Sequence, residues 1–86
     1  MRYTVLWKPA AERQLAELWL DAAVRHAVTQ AAQEIDERLG TDPSHEGESR
    51  EQGRRVLIVQ PLAAFYRVVE DDRKVLVLHL RHIPAR

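Results

Sequence analysis

The chain has 86 residues and a mass of 9.9 kDa, with 13 Lys and Arg balanced by 13 Asp and Glu and no Cys. That size fits one small domain, expected to span residues 1–86, and the missing thiols exclude disulfide frameworks and thiolate metal sites. Zero net charge argues against an indiscriminate nucleic-acid binder, whose affinity comes from neutralising many phosphates at once.

Arg2 to Trp7 alternates partly, with Tyr3, Val5 and Trp7 on one side, and its aromatic and β-branched bias predicts a short strand. Pro9 stops the strand and suits the first turn of a helix, in which Ala11, Leu15, Leu18, Trp19 and Ala22 recur at three- and four-residue spacing. The spacing predicts a helix from Pro9 to about Ala22. A second stripe, Val24, Val28, Ala31, Ala32, Ile35 and Leu39, predicts a second helix, with Asp21 as its N-cap and Gly40 ending it in a left-handed conformation. Thr41 to Gly53 is polar, rich in turn formers, and reads as one long loop.

Arg54 to Gln60 holds the continuous apolar run Val56-Leu57-Ile58-Val59 and predicts an interior strand. Gln60-Pro61-Leu62-Ala63 reads as a turn with proline in its second position, Ala64 to Glu70 as a third strand, and Lys74 to about Ile83 as a fourth. The order β-α-α-β-β-β, with the helices segregated from hairpin-linked strands, predicts an α+β domain of two layers: a helical hairpin on a small, mostly antiparallel sheet. The opening Met-Arg-Tyr-Thr-Val is no export signal, and no apolar run nears membrane-spanning length, so a cytoplasmic protein is expected.

Charge is unevenly spread. Residues 1–46 hold five basic and eight acidic side chains, residues 47–86 eight basic and five acidic, and 11 of the 13 basic residues are Arg, whose planar fork suits phosphate. Strand parity then sorts the candidates. In the last strand Leu76, Leu78 and Leu80 share one face, expected to meet the helices, while Val75, Val77, His79 and Arg81 share the other, with His82 at the strand end. If register places Arg67 on the helix-free face, Arg55, Arg67, His79 and Arg81 converge there.

Each of these residues also has an ordinary structural reading. Arg67 can pair with Glu70 or Asp72, and Arg54 and Arg55 can form a solvated flank. His79 can be a half-buried structural histidine, and Arg81 with His82 a basic tail. His26 and His45 have no partner at metal-ligand spacing, and there is no phosphate-binding glycine loop, nucleophile elbow or His-Glu-x-x-His. No metal and no cofactor are expected.

The strand ending in Trp7-Lys8-Pro9-Ala10-Ala11-Glu12, the stretch Gly53-Arg54-Arg55-Val56-Leu57, and Phe65-Tyr66-Arg67-Val68 followed by Val75 to His82 together resemble the RelE/ParE superfamily of bacterial toxins. The resemblance covers nearly the whole chain. It implies the toxin half of a type II toxin-antitoxin module, neutralised by an antitoxin in a hetero-oligomer. One branch of the superfamily cleaves mRNA on the ribosome, and the other poisons DNA gyrase.

By the resemblance, Arg67, Arg81 and His82 are the expected catalytic residues of a metal-independent endoribonuclease, and Arg54, Arg55 and His79 its expected RNA contacts. His82 is the expected acid or base, with His79 as its rival. The absence of clustered lysine keeps the gyrase branch as the alternative, and a decayed toxin that only binds antitoxin is a third reading.

Overall fold

The structure, a computed structural model, describes residues 2–84. Its elements follow the expected order with one short strand, β2, added inside the predicted loop: β1 (Thr4–Trp7), α1 (Pro9–Trp19), α2 (Arg25–Thr41), β2 (Glu48–Ser49), β3 (Arg54–Val59), β4 (Leu62–Val69) and β5 (Lys74–His82). Five strands form one sheet in the order β1-β5-β4-β3-β2, parallel at β1–β5 and antiparallel elsewhere. No helix among the described residues is long and apolar enough to cross a membrane.

Pro9 occupies the first turn of α1, where its missing N–H costs nothing. The helix stops at Trp19, short of Ala22. Asp21 does not cap α2; its carboxylate accepts the Ala23 N–H at 3.0 Å inside the connecting turn, and α2 starts at Arg25. Arg25 lies 4.3 Å over the Trp19 ring and donates from Nε to the Trp19 carbonyl at 2.7 Å, satisfying an acceptor left over at the end of α1.

Gly40 is not a left-handed terminator, because α2 continues through it to Thr41. It matters for close approach: the Tyr3 N–H donates to the Gly40 carbonyl at 2.8 Å, so the start of β1 lies directly on the helix. The turn between β3 and β4 is Gln60-Pro61, joined by a cis peptide bond, and Leu62 already pairs with Val59.

Both helices cover one face of the sheet. Ala11 of α1 and Val28, Ala31, Ile35 and Leu39 of α2 join Leu57, Leu62, Ala64, Tyr66, Val75, Val77 and Leu80 in one buried cluster. The expected leucine face is therefore wrong for Leu76 and Leu78, which are only half-buried; Val75 and Val77 take the core positions. The cause is a β-bulge. Phe65 pairs with His79 and Tyr66 with Val77, so Leu78 has no partner on β4 and inward facing switches from odd positions (Val75, Val77) to even ones (Leu80, His82).

The predicted long loop is organised by side chains. The Tyr66 hydroxyl, with one proton to donate, lies 2.7 Å from the Glu46 carbonyl and 2.9 Å from that of Pro43. Arg55 donates to the Glu46 carbonyl at 2.9 and 3.1 Å, and Arg38 to the Glu46 carboxylate at 2.6 Å. Gly47, at φ 63°, lies so close to the Val56 carbonyl that a Cβ there would overlap it. Replacing Tyr66 by Phe removes the hydroxyl donor shared by the Pro43 and Glu46 carbonyls, and the expected loss is about 1–3 kcal/mol in urea unfolding, with Gly47→Ala at least as damaging.

Candidate functional site on the helix-free face

The bulge decides which side chains face away from the helices. Downstream of Leu78 the outward positions are His79 and Arg81; upstream, Leu76 is outward. On β4 the outward residues are Ala63, Phe65 and Arg67, and on β3 Arg54, Val56 and Ile58. Cross-strand rows run Arg54–Arg67–Leu76, Val56–Phe65–His79 and Ile58–Ala63–Arg81.

The middle row holds the candidate proton carrier. His79 stacks on Phe65 with ring centroids 4.4 Å apart and planes 15° from parallel. Burial, and then the positive charges of Arg54 and Arg81, hold its imidazole below the ordinary 6.5, which favours the neutral form. Arg54 and Arg67 lie directly across from each other in the row on one side of the middle one. Arg81 lies on the other side, about 13 Å from Arg67 along the strand direction.

Among the described residues, none of these three arginines pairs with a carboxylate. Arg67 donates to the Gln52 carbonyl at 3.0 Å instead of meeting Glu70, which accepts from the Ser44 and Tyr3 hydroxyls. Opposed guanidinium groups without counter-charge can hold an anion, and a neutral imidazole between them can accept a proton.

Two expected site residues are elsewhere. Arg55 shares a face with Leu57 and pairs with Tyr66, so its guanidinium braces the Glu46–Gly47 backbone on the helix side. His82 pairs with Leu62 on the helix side and lines a small cleft with Gln14, Glu17 and Leu18 of α1. Their convergence with Arg67 and Arg81 fails because Arg54, not Arg55, is the partner of Arg67, and because His82 shares the parity of the buried Leu80 and so faces the helices. Phe65 was not singled out from the sequence, although its i, i+2 spacing to Arg67 places both on one face. No group of three or more His, Asp or Glu among the described residues could hold a metal ion.

A second surface feature is an apolar groove of about 920 Å³ between the β1 edge and the helices. Leu6, Leu15, Trp19 and Leu20 line it, with Glu12 and Asp36 as its charged groups. Leu6 and Leu20 are exposed there, Leu20 to 74%.

A family model described as the ParE toxin of the type II toxin-antitoxin system parDE matches residues 5–83. Among solved structures, the chain is similar to one in the RelBE2 toxin-antitoxin complex of Mycobacterium tuberculosis, at a TM-score of 0.74 and 23% identity over 95% of this chain and 99% of that one. It is also similar to a chain of the chromosomal ParDE system of P. aeruginosa, with TM-score 0.67 and 18% identity over 96% and 98% of the two chains. The isolated E. coli RelE toxin gives TM-score 0.62 and 13% identity over 98% and 87%. No curated protein sequence shows significant similarity.

His79 supplies the test of this geometry. Its folded-state pKa is lowered, so between that value and the ordinary 6.5 the unfolded chain binds more protons. The stability contributed by neutral His79 is thus complete above 6.5 and declines as pH falls through the folded value. NMR titration of the imidazole is expected to show a depressed midpoint that rises toward 6.5 in Arg54→Ala and in Arg81→Ala.

Proposed function

This chain belongs to the ParE toxin family of type II toxin-antitoxin systems, and from that premise we propose that it is a ribosome-dependent mRNA endoribonuclease working through the helix-free face of its sheet. The observation that carries this reading is the neutral His79, stacked on Phe65 and flanked by Arg54, Arg67 and Arg81 without carboxylate partners. His82 is replaced by His79 as the proton acceptor. Arg67 and Arg81 keep their proposed catalytic roles and Arg54 its role as an RNA contact.

The reaction needs a base, oxyanion stabilisation and a route to protonate the leaving group. Neutral His79 takes the proton of a ribose 2′-hydroxyl as that oxygen bonds to the adjacent phosphorus. The guanidinium groups hold the non-bridging oxygens as negative charge builds on them, which is worth roughly 3–4 kcal/mol per well-placed donor. The bond to the 5′ oxygen breaks, and that oxygen takes its proton from solvent at the open face. Products are a 2′,3′-cyclic phosphate and a 5′-hydroxyl. The ribosome compensates for the modest charge of the chain by presenting the message.

The proposed partner is a cognate antitoxin, since the similar RelBE2 and ParDE structures come from toxin-antitoxin systems. An acidic antitoxin segment would complement Arg54, Arg67 and Arg81, and apolar side chains would suit the groove beside β1. The complex is proposed to be cytoplasmic.

A ParE-type inhibitor of DNA gyrase is the second reading. It is favoured by the match to the ParE toxin family and by the similar chain of a ParDE system. Cleavage in a translation reaction and a supercoiling assay separate the two. As an endoribonuclease the protein cuts message and leaves supercoiling intact. His79→Gln is expected to slow cleavage by about 10²–10⁴-fold and Arg67→Ala by about 10²–10³-fold, whereas His82→Gln, on the helix side, stays near wild type. Intact message with inhibited supercoiling would establish the gyrase reading instead.

A further inference from the structure

We propose that Gln14, on the helix side of the sheet, is a positioning residue for the face on the opposite side: its side-chain oxygen holds the Leu80 backbone at the point where β5 turns His79 and Arg81 outward. The inference rests on the reading of that face as the working surface.

The need for such an anchor follows from topology. β1 supports β5 only as far as the Trp7–Val77 pair and the Lys8 N–H, which donates to the Val77 carbonyl at 2.9 Å. At Pro9 the chain leaves the sheet as α1, so the β5 edge beyond Val77 loses its neighbouring strand. On its other side Leu78 is unpaired by the bulge. Leu78 therefore has no strand partner on either side, and His79 and Leu80 are paired on the β4 side alone, although this segment sets the orientation of both outward side chains.

Leu80 is 4% exposed, and its N–H would be a buried donor without a strand to receive it. Gln14 fills that place, its Oε1 accepting the Leu80 N–H at 2.6 Å across 66 positions of sequence. The residues on either side of Leu80 are His79 and Arg81. Leu80 turned inward and its N–H fixed to α1 leave the two flanking side chains no orientation but outward. Gln14 itself shares a cleft with Glu17, Leu18 and His82 and reaches the outer face only through the backbone.

The outer surroundings of His79 report whether this anchor works. They are the Phe65 ring from β4, the Arg54 charge from β3 and the Arg81 charge from β5 itself. A loosened segment relaxes all three contacts together, so the imidazole midpoint moves.

The experiment is NMR of the full chain as wild type, Gln14→Leu and Gln14→Glu, following the His79 titration and the exchange of the Leu80 amide. In Gln14→Leu the Leu80 amide is expected to exchange about tenfold faster or more, and the His79 midpoint to move toward 6.5. Gln14→Glu keeps an acceptor and is expected to restore both. A folded Gln14→Leu protein with an unchanged His79 midpoint and a protected Leu80 amide overturns the proposal. If Gln14→Leu does not fold, the wild type decides, since a Leu80 amide that exchanges freely there is equally fatal. Should the midpoint move while the wild type cuts no RNA, the positioning role stands and the nuclease reading alone falls.

Discussion

One unpaired residue, Leu78, sets the chemistry of the helix-free face. Strict alternation through β5 from the buried Val75 and Val77 would send His79 and Arg81 into the helix layer, where two polar groups would have to be buried against α1. The bulge exchanges the faces once. Upstream, β-branched Val75 and Val77 pack on the helices beside β1; downstream, Leu80 takes the core position and the imidazole and guanidinium turn outward. The same interruption weakens the backbone support of β5 just where precision is needed. The contacts to Gln14 on one side and Phe65 on the other are the local compensation.

The two faces thus have separate tasks. On the helix side, Tyr66, Arg55 and Arg38 bind the backbone and carboxylate of Glu46, so the polar stretch before β3 is fastened by groups that end in buried or half-buried hydrogen bonds. Opposite it, Arg54, Arg67 and Arg81 have no carboxylate partner among the described residues. Arginine is spent structurally on one face and left available on the other. Net charge hides this arrangement, because the acidic excess of residues 1–46 lies in the helical half of the chain.

Much of the architecture is legible in the residues. The β-branched runs mark β1, β3, β4 and β5, Pro9 marks the entry to α1, and the apolar stripes mark both helices. What escapes has physical causes. Glu48 and Ser49 carry no strand propensity and pair with β3 only because the bound loop delivers them there. Gly40 reads as a terminator, yet its lack of a side chain serves contact with Tyr3. A bulge leaves no mark in a run of alternating valines and leucines, so the inward placement of Val75 and Val77 escapes the parity argument, whereas His82 follows the parity of the buried Leu80. Arg55 carried a usable signal, since it shares parity with Leu57, whose burial fixes that face inward. The pairing of Arg54 with Arg67 depends on the β3–β4 register, set by a turn one residue earlier than expected.

The most direct measurement is the chemistry of RNA ends in a purified translation system given the toxin. Cleavage by 2′-hydroxyl attack leaves messages bearing 5′-hydroxyl and 2′,3′-cyclic phosphate termini, in amounts that fall with the protonation of His79 as pH is lowered. Uncut messages at saturating toxin, or cut ends bearing 5′-phosphate, would contradict it.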